Sequence, residues 1–577
     1  MPKFKFPKIT VSPHKGPRNA FDLSQRHMFT APLGMLLPVL TLHANPGDHF
    51  DISATDFMRT MPLNSTAFVD CKGVYEFFFV PYSQLYHPFD QFITSQNDFS
   101  SAAFSRVLGN RPPSSIPTLK LLSLLAKLSN EPLVVQADSH RLFSLLGYGN
   151  YWKSSDAKLI DGIAVPDVAV NVFPFAAYQK IYQDFYRNTQ YENYDLGFSL
   201  DNYTGDISGR VGELVGNKLF YARFRNYGMD YLTNIRPSAL FNGIIPSNLS
   251  PSTYMQGQSV VGLTSEVGEA STDSLSDVVS AGYTDSHTDR VSVASLRAAF
   301  AFDKLLSIMG RAPKTYKDQM KAVYGVDVPT GRDGKCYFIG GFDSPFQFSD
   351  IDQTSFASGS DSPYTNQLGS SVSKGTGSGQ GHVKFDVREH GMIMCIYSII
   401  PSNQYDDTRI DPFNVKSSRS DYYIPMYDHI GMQPLYAGFV NNFRLSSVPA
   451  GSGVPSDWVD STNTSMTSAL GWQPRYSEYK TAIDINHGQF SNGGPLSYFT
   501  SNRSRSVFRL NSIKTSYFNA NYLKKLTINE FKISPNLFDS IFKVSYNGYE
   551  TTDPFFGGCY FNVIKVSNMD VQSLPYA

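Results

Sequence analysis

Apolar and polar positions along this chain follow two regimes. In the first they alternate with a period of two. His49-Phe50-Asp51-Ile52-Ser53 and Val383-Lys384-Phe385-Asp386-Val387-Arg388 read this way, as strands with one apolar and one polar face. In the second the apolar residues run on almost unbroken. Tyr75-Glu76-Phe77-Phe78-Phe79-Val80 is stopped by Pro81, and Met392 to Ile400 is ended by Pro401. Runs of this kind fit strands covered on both faces. Near the end of the chain, Leu526-Thr527-Ile528 and Phe531-Lys532-Ile533 predict a strand whose phase slips once, as at a bulge. The segments between are rich in turn formers, with 34 Pro and 43 Gly in all. The pattern predicts a mainly β sandwich.

Helical periodicity is rare. Val293 to Met309 is the clearest case. Leu296, Phe300, Leu306 and Met309 fall near one face, Ser292 can cap the start, and Gly310 with Pro313 ends it. Leu119 to Leu128 is a second, short and very apolar helix, expected to pack on the core and not to act on membranes. Two stretches look inserted. Residues 237–289 hold Glu266, Glu269, Asp273, Asp277, Asp285 and Asp289 but no Lys or Arg. Residues 353–381 are Gly/Ser-rich and predict a flexible loop. The resulting division is a basic arm over 1–21, a first sandwich part over 22–236, a surface insertion over 237–292, and a second sandwich part with loops over 293–577.

Composition sharpens this picture. At 577 residues the chain exceeds the roughly 250–300 residues of one growing core, so long loops or more than one domain are needed. Charged residues are 17%, below the roughly 25% of an ordinary soluble domain. Aromatics reach 14%, with 35 Tyr, a side chain that covers apolar area while keeping a polar handle. Such a surface suits a protein that buries much of itself against neighbours. The net charge is -1, so any nucleic-acid contact must be local. The local candidate is the arm: Lys3, Lys5, Lys8, Lys15 and Arg18 with no acid, Phe4 and Phe6 alternating with lysines, and four prolines that forbid a helix. The four cysteines, Cys71, Cys336, Cys395 and Cys559, lie far apart and predict buried, reduced thiols. The N-terminus carries no apolar signal-like run, and no apolar stretch approaches the roughly 20 residues of a spanning helix. A soluble protein made in the cytosol is expected.

Catalytic motifs do not stand out. HExxH, GxSxG and GxxxxGK[ST] do not occur. Gly375, Gly377, Gly379 and Gly381 alternate without forming a phosphate-binding fingerprint. Asp343, Asp350 and Asp352, like Asp406, Asp407 and Asp411, cluster in sequence but lack EF-hand spacing. They read as solvated loop acids, with no cofactor or metal implied. The densest unusual segment is Gly471-Trp472-Gln473-Pro474-Arg475-Tyr476-Ser477-Glu478-Tyr479. Arg stacked on aromatics is how interface hot spots are built, so Trp472, Arg475, Tyr476 and Tyr479 are candidate subunit contacts. An internal anchor within one chain is the alternative.

The first 90 residues carry a resemblance. Phe21-Asp22-Leu23-Ser24, Gly34-Met35-Leu36-Leu37-Pro38, Pro46-Gly47-Asp48, Arg59-Thr60-Met61-Pro62-Leu63-Asn64 and Glu76-Phe77-Phe78-Phe79-Val80-Pro81-Tyr82 occur in the order and spacing of microvirus major capsid proteins. The chain resembles the gokushovirus-like branch in particular, and Gly471-Trp472-Gln473-Pro474-Arg475-Tyr476 is similar to a later segment of that family. The resemblance implies an eight-stranded antiparallel jelly roll with long loop insertions. It implies copies assembling into a T=1 icosahedral shell around circular single-stranded DNA, and no enzyme. It further implies an outward insertion at the three-fold axes that meets a host surface receptor, and a separate small basic DNA-binding protein. On that basis Arg59 joins the expected subunit contacts, and the six acids of 237–289 the host-facing surface. The expected location is the virion, after synthesis in the bacterial cytoplasm, with no membrane insertion. Two other functions stay open on the residues alone: a carbohydrate-binding β-sandwich using Tyr and Trp stacking, and a β-rich glycoside hydrolase with a carboxylate pair.

Overall fold

The computed structural model describes residues 18–61, 63, 69–93, 115–150, 152–153, 158–159, 168–193, 199–230, 232–236, 304, 334–352, 371–407, 409–428, 431–440, 469–491, 494–500, 531–533, 541, 544–546, 549–569 and 571. Nine strands form one curled, antiparallel sheet: β1 (Asn19–Asp22), β2 (Gln25–Ala31), β3 (Leu37–Ala44), β4 (His49–Thr60), β5 (Cys71–Pro81), β6 (Tyr337–Asp352), β7 (Ser371–Asp386), β8 (Gly391–Pro401) and β9 (Phe555–Ser567). Their order is β1-β9-β4-β7-β6-β5-β8-β3, with β2 also on β9. β1 and β2 lie in line along β9, pairing Ile564–Ser567 and Phe555–Phe561 respectively. The Leu23 N–H bridges the break by donating to the Val563 carbonyl. Counted as one interrupted strand, they make the jelly roll eight-stranded, and the expected fold class holds.

β6 forms the corner of the curl. Its residues 346–352 pair with β7, and its residues 337–345 pair with β5. The sheet thereby folds over on itself, and one core fills the space between the halves. Phe50, Ile52, Ala54 and Met58 of β4 and Phe555, Cys559, Phe561 and Val563 of β9 meet Tyr75, Phe77 and Phe79 of β5 and Ile393, Cys395, Tyr397 and Ile399 of β8. The opposite face of β5 and β8 is covered too. Phe78, Val80, Met392, Met394 and Ile396 pack into a second core with the helices α1 (Leu121–Leu128), α2 (Leu133–Leu145), α3 (Phe173–Ile181) and α4 (Val211–Gly216). The uninterrupted apolar runs therefore are strands buried on both faces, as the sequence predicts. Glu76, the acid within the run, meets Arg225 at 2.6 Å and accepts from the Tyr186 hydroxyl. All four cysteines are free and buried, as expected.

Turns explain two of the motifs. Gly34 has φ +73°, and a Cβ there would lie 2.5 Å from the Ile533 side chain, so a side chain is barred by both backbone and neighbour. Gly47 turns β3 into β4, and Asp48 beside it forms a buried ion pair with Lys565 of β9 at 2.9 Å.

Several expectations need correction. The last 11 of the 29 residues of the Gly/Ser-rich stretch 353–381 are not a loop, since residues 371–381 belong to the long strand β7. The cause is steric complementarity across the ladder. Phe348 faces Gly375 and Phe346 faces Gly377 in register. A Cβ on Gly375 would sit 2.8 Å from the Phe348 ring, and one on Gly381 would sit 2.2 Å from Phe342. The rings occupy the volume that side chains on β7 would need. Asp343, Asp350 and Asp352 likewise stand in strand β6 and not in a loop, and Asp343 pairs with Lys72 at 2.7 Å, both half-exposed. Asp406 is fully buried in the short strand Gln404–Asp406, so it is no solvated acid, whereas Asp407 is exposed and Asp411 half-buried. Helix α1 begins at Leu121, because Thr118–Lys120 pairs as a strand with Ala169–Asn171. Its Leu121, Leu124, Leu125 and Leu128 are buried on the core. Of the late strand, residues 531–533 are described and run beside 225–227 through backbone hydrogen bonds, while 526–530 lie outside the described residues. Of the helix expected over 293–309, Lys304 alone is described, and it is helical. Residues 353–370 also lie outside. Among the described residues no helix is long and apolar enough to cross a membrane.

Candidate functional site

The Trp472–Tyr479 segment is where the structure gathers the most unusual chemistry. The strand Ala469–Pro474 pairs antiparallel with Met432–Tyr436. Trp472 exchanges backbone hydrogen bonds with Arg236, at 2.7 and 2.8 Å. A Cβ on Gly471 would lie 2.1 Å from the Ile235 side chain, which is why this position carries none. Past the strand the chain turns through Tyr476, a non-glycine residue at φ 59°, ψ 31°. That left-handed conformation costs about 1–2 kcal/mol for an ordinary side chain and needs compensation. The Tyr476 hydroxyl donates to the Tyr422 carbonyl at 2.8 Å, and its N–H donates to Gln433 Oε1 at 3.1 Å. The ring is buried.

The segment thereby anchors the stretch 411–428 that wraps it. Arg475 donates to the Ser420 carbonyl at 2.8 Å while lying over the Tyr476 ring. Glu478 and Lys416 form an ion pair at 2.7 Å with side chains only 8% and 5% exposed. Lys416 Nζ also sits 4.2 Å from the Tyr479 ring centroid and donates to the Asp421 carbonyl. Asp421 accepts from the Ser417 and Ser418 N–H groups, which hold its carboxyl below the usual range. Asp411 caps the turn at Pro412–Val415 by accepting from the Phe413 N–H.

This scaffold presents an aromatic patch to solvent. Tyr479 packs edge-on against Phe413, with centroids 4.9 Å apart, and lies 6.3 Å from Tyr423. Phe413, Tyr422, Tyr423 and Tyr479 are each about half-exposed, and Met426 is 81% exposed. Of the four residues expected here, Tyr476 faces inward, Trp472 and Arg475 are partly covered, and Tyr479 alone reaches well into solvent. The internal-anchor alternative thus describes Tyr476 and Arg475 within the single chain. Sequence reasoning missed Phe413, Tyr422, Tyr423 and Met426. The run Tyr422-Tyr423-Ile424-Pro425-Met426-Tyr427 has no strand or helix period, and that aperiodic apolar density was the available signal.

The other expected site residues scatter. Arg59 stands on β4, exposed, with its guanidinium 4.6 Å over the Phe57 ring. Arg18 is exposed and donates to the Gly47 carbonyl at 2.9 Å, where the arm enters β1. Lys3, Lys5, Lys8 and Lys15 lie outside the described residues, as do Glu266, Glu269, Asp273, Asp277, Asp285 and Asp289.

A polar group also hides between the sheet halves. Asp56 on β4 is buried, and burial pushes its carboxyl above the ordinary value. Tyr75 and Tyr397 stand close by, their ring centroids 4.5 Å apart, and both hydroxyls are pushed well up by burial.

Comparison with known proteins matches this architecture. A family model described as capsid protein (F protein) matches residues 10–117 and 150–574. The capsid protein VP1 of Chlamydia phage 1 is 23% identical over 543 residues, covering 80% of this chain and 82% of that protein. With the jelly roll in place and the match running through nearly all of it, the chain belongs to the phage F-type capsid protein family, the shell proteins of microviruses.

Proposed function

We propose that the chain builds a T=1 icosahedral shell that encloses circular single-stranded DNA. The observation that carries the reading is the joint presence of a capsid-family jelly roll and a preorganised, solvent-facing aromatic patch. Self-assembly follows from capsid membership. The patch supplies a place for it, because rigid aromatics held by a buried ion pair lose little entropy on docking. Tyr479, Phe413, Tyr423 and Met426 contact a second copy, while Trp472, Arg475 and Tyr476 hold that surface in shape.

The division into arm, sandwich and insertion is part of this proposal. The arm with Lys3, Lys5, Lys8, Lys15 and Arg18 faces the genome, since lysines meeting phosphates release counterions without reading sequence. A small basic DNA-binding protein shares that task. The insertion over 237–292, with its six acids and no Lys or Arg before residue 290, would be repelled by packaged DNA and projects outward to a host receptor. The chain works in the virion after synthesis in the host cytoplasm, and carries out no catalysis.

Negative-stain microscopy of the purified protein tests the reading. Uniform small closed shells are expected. Monomers at every concentration, or open fibres, count against it. In intact particles, protease should cut within 237–292 before any loop of the sandwich. Replacing Asp343, Asp350 and Asp352 together should leave particles intact; loss of particles restored by Ca²⁺ would reveal a metal role.

A further inference from the structure

The outer face of β9, β4 and β2 carries no covering layer among the described residues. Its side chains alternate outward with the strand period. On β9 these are Phe556, Tyr560, Asn562 and Ile564, on β4 Thr55, Phe57 and Arg59, and on β2 Arg26, Met28 and Thr30, all exposed. The register places them. Phe57 stands opposite Gly558, so it is diagonal to both Phe556 and Tyr560. Arg59 stands opposite Phe556, and Arg26 opposite Tyr560 on the other side of β9. Gly558 has no side chain to separate the three rings. Diagonal neighbours on one face are roughly 7–8 Å apart.

Charge on this end of the face is positive. Arg59 lies over Phe57, and among the described residues no acid pairs with Arg59 or Arg26. The nearby Asp553 is matched by Arg141 at 2.7 Å. Acids on the same face lie toward its far end, where Asp22 stands opposite Ile564 and accepts from the Ser24 N–H, and where Asp51 and Asp386 have basic neighbours. Asp51 pairs with Lys384 at 2.9 Å and with His382, and Asp386 pairs with His49 at 2.6 Å. The arm leaves at Arg18 from the edge strand of this same sheet.

We propose that Phe57, Phe556 and Tyr560, flanked by Arg26 and Arg59, form a stacking platform for single-stranded DNA, which makes this sheet face the genome side of the subunit. The proposal rests on the genome-enclosing reading above. Exposed rings on an open sheet bind unpaired bases because every base has a π-face, and interleaved arginines track the phosphates. A second copy of the chain is the rival occupant. It would have to bring a carboxylate to each of these two guanidiniums, which have no acid beside them in the single chain, to avoid burying unpaired charge. On this proposal Arg59 meets the genome in place of a second copy.

The test measures binding of a fluorescein-labelled oligo-dT to the soluble full chain by anisotropy across a salt series, together with particle formation by microscopy. Phe57→Ala with Tyr560→Ala should weaken binding by roughly ten- to a hundredfold. Phe57→Leu with Tyr560→Leu keeps apolar area but removes the rings, and should weaken it as far while leaving folding intact. Arg26→Ala with Arg59→Ala should lower the salt slope by about 0.7 for each phosphate no longer neutralised. Particles should still form in all three. Unchanged oligo-dT affinity in the Leu variant overturns the platform, and absence of particles at unchanged affinity makes the face a subunit interface instead. If the unaltered chain forms shells but never holds DNA, the genome-enclosing reading fails, which is a separate result.

Discussion

The two halves of the curled sheet have opposite surroundings. β5 and β8 lie between two cores, sandwich on one face and helices on the other. β4 and β9 meet the sandwich core with one face, and among the described residues nothing covers the other. The first half consequently has no outward surface left to evolve a binding role, and its residues answer only to packing. The second half has a face free of packing demands, and aromatic side chains there cost solvation without any fold-level return. Rings on the covered half thus need no functional explanation, while rings on the bare half call for one.

Stability measurements can break that contrast. Phe78 points into the helix-side core, so Phe78→Ala should cost about 3–5 kcal/mol, read from the urea denaturation midpoint. Phe57→Ala on the bare face should shift stability by no more than about 0.5 kcal/mol. Equal costs would mean that the bare face is covered in the isolated chain. Next in size are the ion pairs. Glu478→Gln removes the counter-charge of buried Lys416, a change worth about 3 kcal/mol where it is felt globally, and should open 411–428 to protease. Lys72→Ala breaks the half-exposed pair with Asp343 and should cost under about 1 kcal/mol.

Titration separates the layers more finely. Asp138 and His140 sit on α2, in the helix layer. Burial raises the Asp138 carboxyl to about 6 and lowers His140 to about 4. Between pH 3.8 and about 6 the folded chain holds a proton on Asp138 that the unfolded chain has lost, so this group makes stability fall as pH rises. Between about 4 and 6.5 the unfolded chain holds a proton that folded His140 has refused, so this group makes stability rise with pH. The two oppose each other. In melting curves from about pH 4 to 7, Asp138→Asn should steepen the rise and His140→Gln should expose the fall. A flat profile in both would show that neither is desolvated. Smallest of all, Tyr479→Ser should leave the melting point of the single chain within the noise of surface substitutions, roughly 0.5 kcal/mol, while reducing particle yield.

Much of the sandwich was legible because burial on one or two faces writes directly into the period of the sequence. Tyr75–Val80 and Met392–Ile400 could only be strands covered on both sides, and His49–Ser53 only a strand with a wet face. Strand β7 was not legible, because its glycines make sense only beside Phe342, Phe346 and Phe348, which lie on a neighbouring strand. The same is true of Asp406, whose burial depends on a parallel pairing with Asp484–Asn486. The Trp472–Tyr479 segment stood out correctly as unusual. Its division of labour, with Tyr476 inward and Tyr479 outward, depends on a left-handed turn at a tyrosine that no local pattern announces. The patch of Phe413, Tyr423 and Met426 went unread because irregular backbone carries no period to count.

The pairing of β9 has a consequence for how the protein is made. β9 is the strand between β4 and the β1–β2 edge, and its partners are separated from it by about five hundred residues of chain. Until residue 567 leaves the ribosome, β4 presents an open edge and one wall of the sandwich core is missing. At bacterial elongation rates of about 5–20 residues per second, that interval lasts on the order of half a minute to two minutes. During it the nascent chain exposes the hydrophobic wall and the strand edge that invite wrong pairing. β9 is therefore a completion signal: only a chain translated through residue 567 can close its sandwich, and only a closed sandwich offers the surfaces on which a shell is built.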